Sequence, residues 1–134
     1  MILEMIRGDI LQSPCLHIFF GVNTEGYNDS GFAGQVANNF WPELLKTGGN
    51  ELGQVLVKNI GHKTFYAVVC HSLKDGWESA DQYIKAAFDS QNFEEPCASV
   101  LMGAGFIGQM QGADVKSIID AMRESNKSIV VYTL

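Results

Sequence analysis

The segment Ala98-Ser99-Val100-Leu101-Met102-Gly103-Ala104-Gly105-Phe106-Ile107-Gly108 decides how this chain is read. Ala98 to Met102 is a short apolar run of strand length. Gly112-Ala113-Asp114-Val115, four residues beyond Gly108, reads as the start of a helix. A strand, a glycine loop and a helix in that order make an anion cradle. The first helical N–H groups are free, the helix end carries partial positive charge, and glycine lets the backbone approach a phosphate closely.

A lone Gly-x-Gly-x-x-Gly is weak by itself. The dinucleotide-binding βαβ reading needs the motif in the first strand-to-helix turn, with an acid about 20 residues later at the end of the next strand. Here the motif follows most of the predicted sheet. The later acids, Asp120 and Glu124, fall on a predicted helix. The P-loop reading fails because no Gly-Lys-Ser/Thr follows.

Working outward, helices separate most of the predicted strands. Met1 to Ile6 reads as a first strand. Leu16 to Val22 reads as a second, apolar enough to be buried on both faces. Asn23 to Gly31 is loop chemistry. Phe32, Ala33, Val36, Ala37 and Phe40 fall at helical spacing, and Pro42 ends that helix and opens a second short one. Gln54 to Lys58 and Thr64 to Cys70 are strands around a loop holding Gly61, the second of them central. Asp75-Gly76-Trp77-Glu78 has capping-box spacing. It precedes the stripe Ala80, Tyr83, Ile84, Ala87 and Phe88. Val115, Ile118, Ile119 and Met122 mark a last helix, and Ser128 to Leu134 a last strand. The pattern predicts an α/β fold of three layers, α/β/α, around a mixed, largely parallel sheet.

Bulk properties narrow the class. The 134 residues fit one domain able to bury a core without disulfides. A net charge of −6 argues against a broad nucleic-acid surface and is read as solubility. Three cysteines (Cys15, Cys70 and Cys97) without Cys-x-x-Cys spacing, and three histidines without ligand spacing, predict no disulfide framework and no metal. No run approaches the ~20 apolar residues of a membrane span. The N-terminus lacks signal-peptide features. A cytoplasmic protein without membrane contact is expected. On that reading the glycosylation patterns Asn28-Asp29-Ser30 and Asn126-Lys127-Ser128 carry no meaning.

A second glycine-bearing junction follows the second strand. Val22-Asn23 ends the strand, and Ser30-Gly31-Phe32-Ala33-Gly34-Gln35-Val36 opens the helix. In a parallel sheet both junctions lie at carboxyl ends of strands, where ligands bind. Two facing cradles suit a pyrophosphate flanked by sugars.

These residues together resemble the macrodomain family, modules that bind ADP-ribose. Gly8-Asp9-Ile10 is similar to the family's Gly-Asp-Ile/Leu, whose Asp contacts the adenine amino group. Val22-Asn23 is similar to the start of its Val-Asn-Ala-Ala-Asn segment. Ser30 to Val36 resembles its first diphosphate loop, and Gly103 to Gly108 its second. Gly31-Phe32-Ala33 followed by Trp41-Pro42-Glu43 resembles a bacterial branch. Ile129 to Leu134 resembles the end of the terminal ADP-ribose protein glycohydrolase type. That type uses a Lys at a central strand end and an Asp just past the second glycine loop. Here His71-Ser72 and Ile107 stand at those places.

The resemblance implies a ligand site of Asp9, Ile10, Asn23, Ser30, Gly31, Phe32, Ala33, Gly34, Gly103, Ala104, Gly105, Phe106, Ile107 and Gly108. The expected function is binding of ADP-ribose or a derivative, without a cofactor. Two alternatives stand beside it. One is a hydrolase acting on ADP-ribosylated macromolecules or phosphorylated ADP-ribose, with Asn23 or His71 helping to place water and His71 the candidate catalytic acid or base. The other is a degenerate macrodomain serving as an interaction module. Asp9 is equally a turn residue and Asn23 equally a loop-satisfying amide. Phe32 and Phe106 are either stacking surfaces or core.

Overall fold

The chain is described from a computed structural model covering residues 1–28, 31–45 and 49–133. Its centre is a six-stranded sheet: β1 (Ile2–Arg7), β2 (His17–Asn23), β3 (Val55–Ile60), β4 (Lys63–His71), β5 (Cys97–Val100) and β6 (Ile129–Thr133). The spatial order is β1-β6-β5-β2-β4-β3. All neighbours are parallel except β3 and β4, an antiparallel hairpin closed by Gly61-His62 with Gly61 at φ +62°. Glycine takes that backbone conformation without a Cβ penalty, which suits a two-residue hairpin turn. The mixed, largely parallel sheet expected from the sequence is the one observed.

Helices cover both faces. On one lie α1 (Gly31–Asn39) and the 3₁₀ turns Ile10–Gln12 and Pro42–Leu45. On the other lie α2 (Ala80–Asp89) and α4 (Val115–Glu124). A further helix, α3 (Phe106–Met110), follows β5. Strands β2 and β4 show why their sequences are nearly continuous in apolar residues. Phe19, Tyr66, Val68 and Cys70 pack towards α2 and α4, whereas Ile18, Phe20, Val22, Phe65, Ala67 and Val69 pack towards α1. Alternate side chains serve opposite cores, so both faces must be apolar.

The connections diverge at one place. From β2 the chain moves towards β4, and from β5 it moves towards β6, yet β2 and β5 are neighbours. Their carboxyl ends form a topological switch point, the kind of place where ligands bind in open α/β sheets.

Two expectations are corrected. Asp75-Gly76-Trp77-Glu78 is no capping box: α2 begins after Ser79, which makes no side-chain cap bond. Gly76 (φ +71°) instead exchanges backbone hydrogen bonds with Ser72, closing a tight turn that consumes the segment. The glycine motif is also not loop throughout, because Phe106, Ile107 and Gly108 already belong to α3. The start expected at Gly112-Ala113-Asp114 is that of α4, whose Asp114 carboxylate accepts the Ser117 N–H at 3.2 Å.

Candidate functional site

The second glycine segment is built by close backbone approach. After β5, Ala104 N donates to Leu101 O at 3.2 Å while Gly103 takes φ +85°. A Cβ on Gly103 would lie 3.0 Å from both Ala113 Cβ and Ile118 Cδ1, and one on Gly108 would collide with the Gly103 backbone. Glycine at 103 and 108 therefore lets α3 fold back onto its own loop. Gly105 differs: its backbone is extended (φ −72°, ψ 175°) and a Cβ there would meet open space. The N–H groups of Gly105, Phe106 and Ile107 have no partner among the described residues, as is usual for the first residues of a helix. Phe106 is 76% exposed, so it is not core, and Ile107 is exposed beside it.

At the first junction Asn23 serves the loop. Its Oδ1 accepts Tyr27 N at 3.0 Å and its Nδ2 donates to Tyr27 O at 3.1 Å. Asn28, read from the sequence only as part of a glycosylation pattern, is buried and extends the same scheme. Its Oδ1 accepts Asn23 N, and its Nδ2 donates to Leu44 O. Those bonds occupy the amide of the apparent glycosylation pattern. Ser30 lies outside the described residues. Gly31 opens α1 at φ +61° with open space around it, Ala33 is half-buried and Gly34 buried. Phe32 packs edge-to-face on Phe20 at 5.6 Å, joining the core on the α1 face.

Gly8 N bonds Thr133 O, so Asp9 leaves β1 at the same carboxyl end. Its carboxylate accepts Leu11 N at 2.9 Å and caps the Ile10–Gln12 turn. Ile10 is 3% exposed, with its side chain in the core. Three strand spacings, about 14 Å, separate β1 from β2. The predicted residues thus line one end of the sheet without forming a single cluster.

His71 ends β4 in register with Asn23. The ring is 7% exposed and stacked on Trp77 (centroids 4.1 Å apart, 11° between planes). Nδ1 is enclosed and has no hydrogen-bond partner. Burial lowers its pKa from 6.5 to about 4, only partly offset by the nearby Glu25 carboxylate. A general base works best with a pKa near the operating pH, which this environment does not supply. Burial is the largest single influence on the Glu25 carboxyl and would raise it, but the hydrogen bonds from Leu73 N, at 3.0 Å, from Thr24 and from the backbone of Glu25 and Lys74 together outweigh it and hold the group below its ordinary range. Trp77 Nε1 donates to Gln111 Oε1 at 3.1 Å, tying the loop after β4 to the end of α3. The signal for Trp77 was its place beside Gly76; nothing in the sequence marked Glu25.

The other reactive side chains are accounted for elsewhere. His17 bridges Tyr66 and Glu95, at 2.7 Å each, and stacks on Phe93. Cys70 and Cys97 are buried, their thiols pushed up to about 12 by desolvation. Depressions of about 270 Å³ between α2 and α4, and about 390 Å³ beside Phe93, contain none of the predicted site residues. Among the described residues no helix is long and apolar enough to cross a membrane.

No family model and no curated protein matches the sequence. Solved structures do match the fold. The macrodomain of Mycobacterium tuberculosis DarG superposes with a TM-score of 0.73 at 19% identity, over 98% of this chain and 97% of that one. The macrodomain of Thermus aquaticus DarG gives 0.65 at 18% identity, over 100% and 98%. Thermosipho africanus DarTG, determined in complex with ADP-ribose, gives 0.70 at 16% identity, over 97% of this chain and 41% of that one. The chain has the macrodomain fold.

Proposed function

We propose that this chain binds ADP-ribose, free or carried on a macromolecule, at the carboxyl end of its sheet. The observation that carries this reading is the divergence of two glycine-bearing junctions at the β5–β2 switch point, with unpaired N–H groups and open space at Gly105. The diphosphate lies between Gly31-Phe32-Ala33-Gly34 and Gly103-Ala104-Gly105. Asp9 stands towards the adenine, and Asn23 and His71 towards the other end. The ADP-ribose complex of the structurally similar Thermosipho africanus protein supports the ligand class. Hydrolysis has less support, since Ile107 replaces the acid of the glycohydrolase type, Asn23 is engaged by Tyr27, and His71 is a weak base.

Isothermal calorimetry with ADP-ribose tests the proposal directly. Wild-type protein is expected to bind and Gly105→Glu to lose binding, because a carboxylate would occupy the diphosphate's place. A silent wild-type titration at millimolar ligand would leave the interaction-module reading.

A further inference from the structure

His71 does not behave as an ordinary core histidine. Such a ring satisfies its nitrogens internally; even the partly buried His17 finds a partner for each of its own, Tyr66 and Glu95. The His71 ring has no hydrogen-bond partner among the described residues. Nδ1 is sealed inside without a partner, whereas Nε2 is not among the enclosed, unpartnered atoms and the residue keeps 7% of its surface exposed. Trp77 holds the plane of the ring, and Glu25 is the charged group that acts on it. A sealed N–H with no acceptor is rarer in proteins than an underused acceptor, so the proton belongs on Nε2.

We propose that His71 serves the site as a neutral hydrogen-bond donor, presenting Nε2–H to an oxygen of the bound ligand. The acceptor is a hydroxyl of the ribose beyond the diphosphate or an oxygen of the diphosphate itself. This rests on the ADP-ribose reading for the identity of the ligand but adds a role that reading does not require. It also replaces proton transfer as the task of this residue. Burial keeps the ring neutral at pH 7, which suits a fixed donor and not a base.

The test combines tautomer and affinity. Long-range ¹H–¹⁵N spectra at pH 7 are expected to show His71 as the Nε2–H tautomer, with the Nε2 resonance moving on saturation with ADP-ribose. His71→Gln keeps an amide donor near Nε2 and is expected to bind within about threefold of wild type. His71→Phe keeps the stack on Trp77 and is expected to lose about tenfold. Parallel titration with ADP separates the two acceptors: a loss confined to ADP-ribose marks the ribose, and an equal loss marks the diphosphate. An Nδ1–H tautomer, an imidazolium, or wild-type affinity in His71→Phe overturns the proposal while leaving ADP-ribose binding intact. Failure of the wild-type protein to bind ADP-ribose overturns the binding reading instead, and this proposal with it. Should His71→Phe not fold, the tautomer and the Gln variant still decide the matter.

Discussion

Gly103, Gly105 and Gly108 are one motif on paper and three different constraints in space. A methyl at Gly108 would run into the Gly103 backbone, which cannot yield without moving α3. Gly108→Ala is therefore expected to cost about 1–3 kcal/mol of stability in urea unfolding, the usual range for overpacking. Gly105 carries an ordinary extended backbone in open space, so Gly105→Ala or Gly105→Glu should stay within about 0.5 kcal/mol of wild type. If Gly105→Glu also preserves ADP-ribose affinity, the diphosphate lies elsewhere. Gly31 is a poorer probe of the same question, because φ +61° penalises any side chain by about 1–2 kcal/mol before a ligand is considered.

Between elements, Trp77 is the joint that links the end of β4, the loop before α2 and the end of α3. Trp77→Phe keeps the stack on His71 but deletes the bond to Gln111, a loss of about 1 kcal/mol. Hydrogen exchange should then quicken over residues 106–110 and stay unchanged over 115–124; equal rates in both segments would mean that Trp77 does not brace α3. This joint was hard to read from sequence. The strands and long helices were legible because each carries a periodic apolar signal, and β2 and β4 carry it on both faces. The five residues of α3 are too few to show a period. The spacing from Asp75 to Glu78 looked like a cap, yet Gly76 at φ +71° turned it into a closed loop. Asn23 and Asp9 stand where the resemblance puts ligand contacts. Their short polar side chains nevertheless find backbone partners within four residues, a competition that sequence does not resolve. Legibility thus followed the backbone: Gly103 and Gly108 marked a close approach that the fold requires, whereas the partners of polar side chains were not readable.

For the molecule as a whole, the acid limit of stability should carry the mark of His71. Its pKa is about 4 when folded against 6.5 for the free side chain, so above pH 6.5 both states are neutral and stability is at its plateau. As the pH falls from 6.5 towards 4, the unfolded chain binds a proton that the folded chain refuses, and stability declines by up to about 3 kcal/mol. Below pH 4 the folded ring is protonated too, and this contribution levels off. The carboxylates held below their ordinary range (Glu25, Asp89, Glu95 and Asp114) then take over, since protonating them removes their hydrogen bonds. Urea unfolding from pH 8 to pH 4 separates the two regimes. Wild-type protein is expected to lose stability progressively below pH 6.5. His71→Phe has no group titrating in that window at this position and should stay nearly flat to about pH 4.5. If the two proteins decline in parallel, the ring is not held neutral by its surroundings, and the imidazole at the end of β4 is hydrated rather than enclosed.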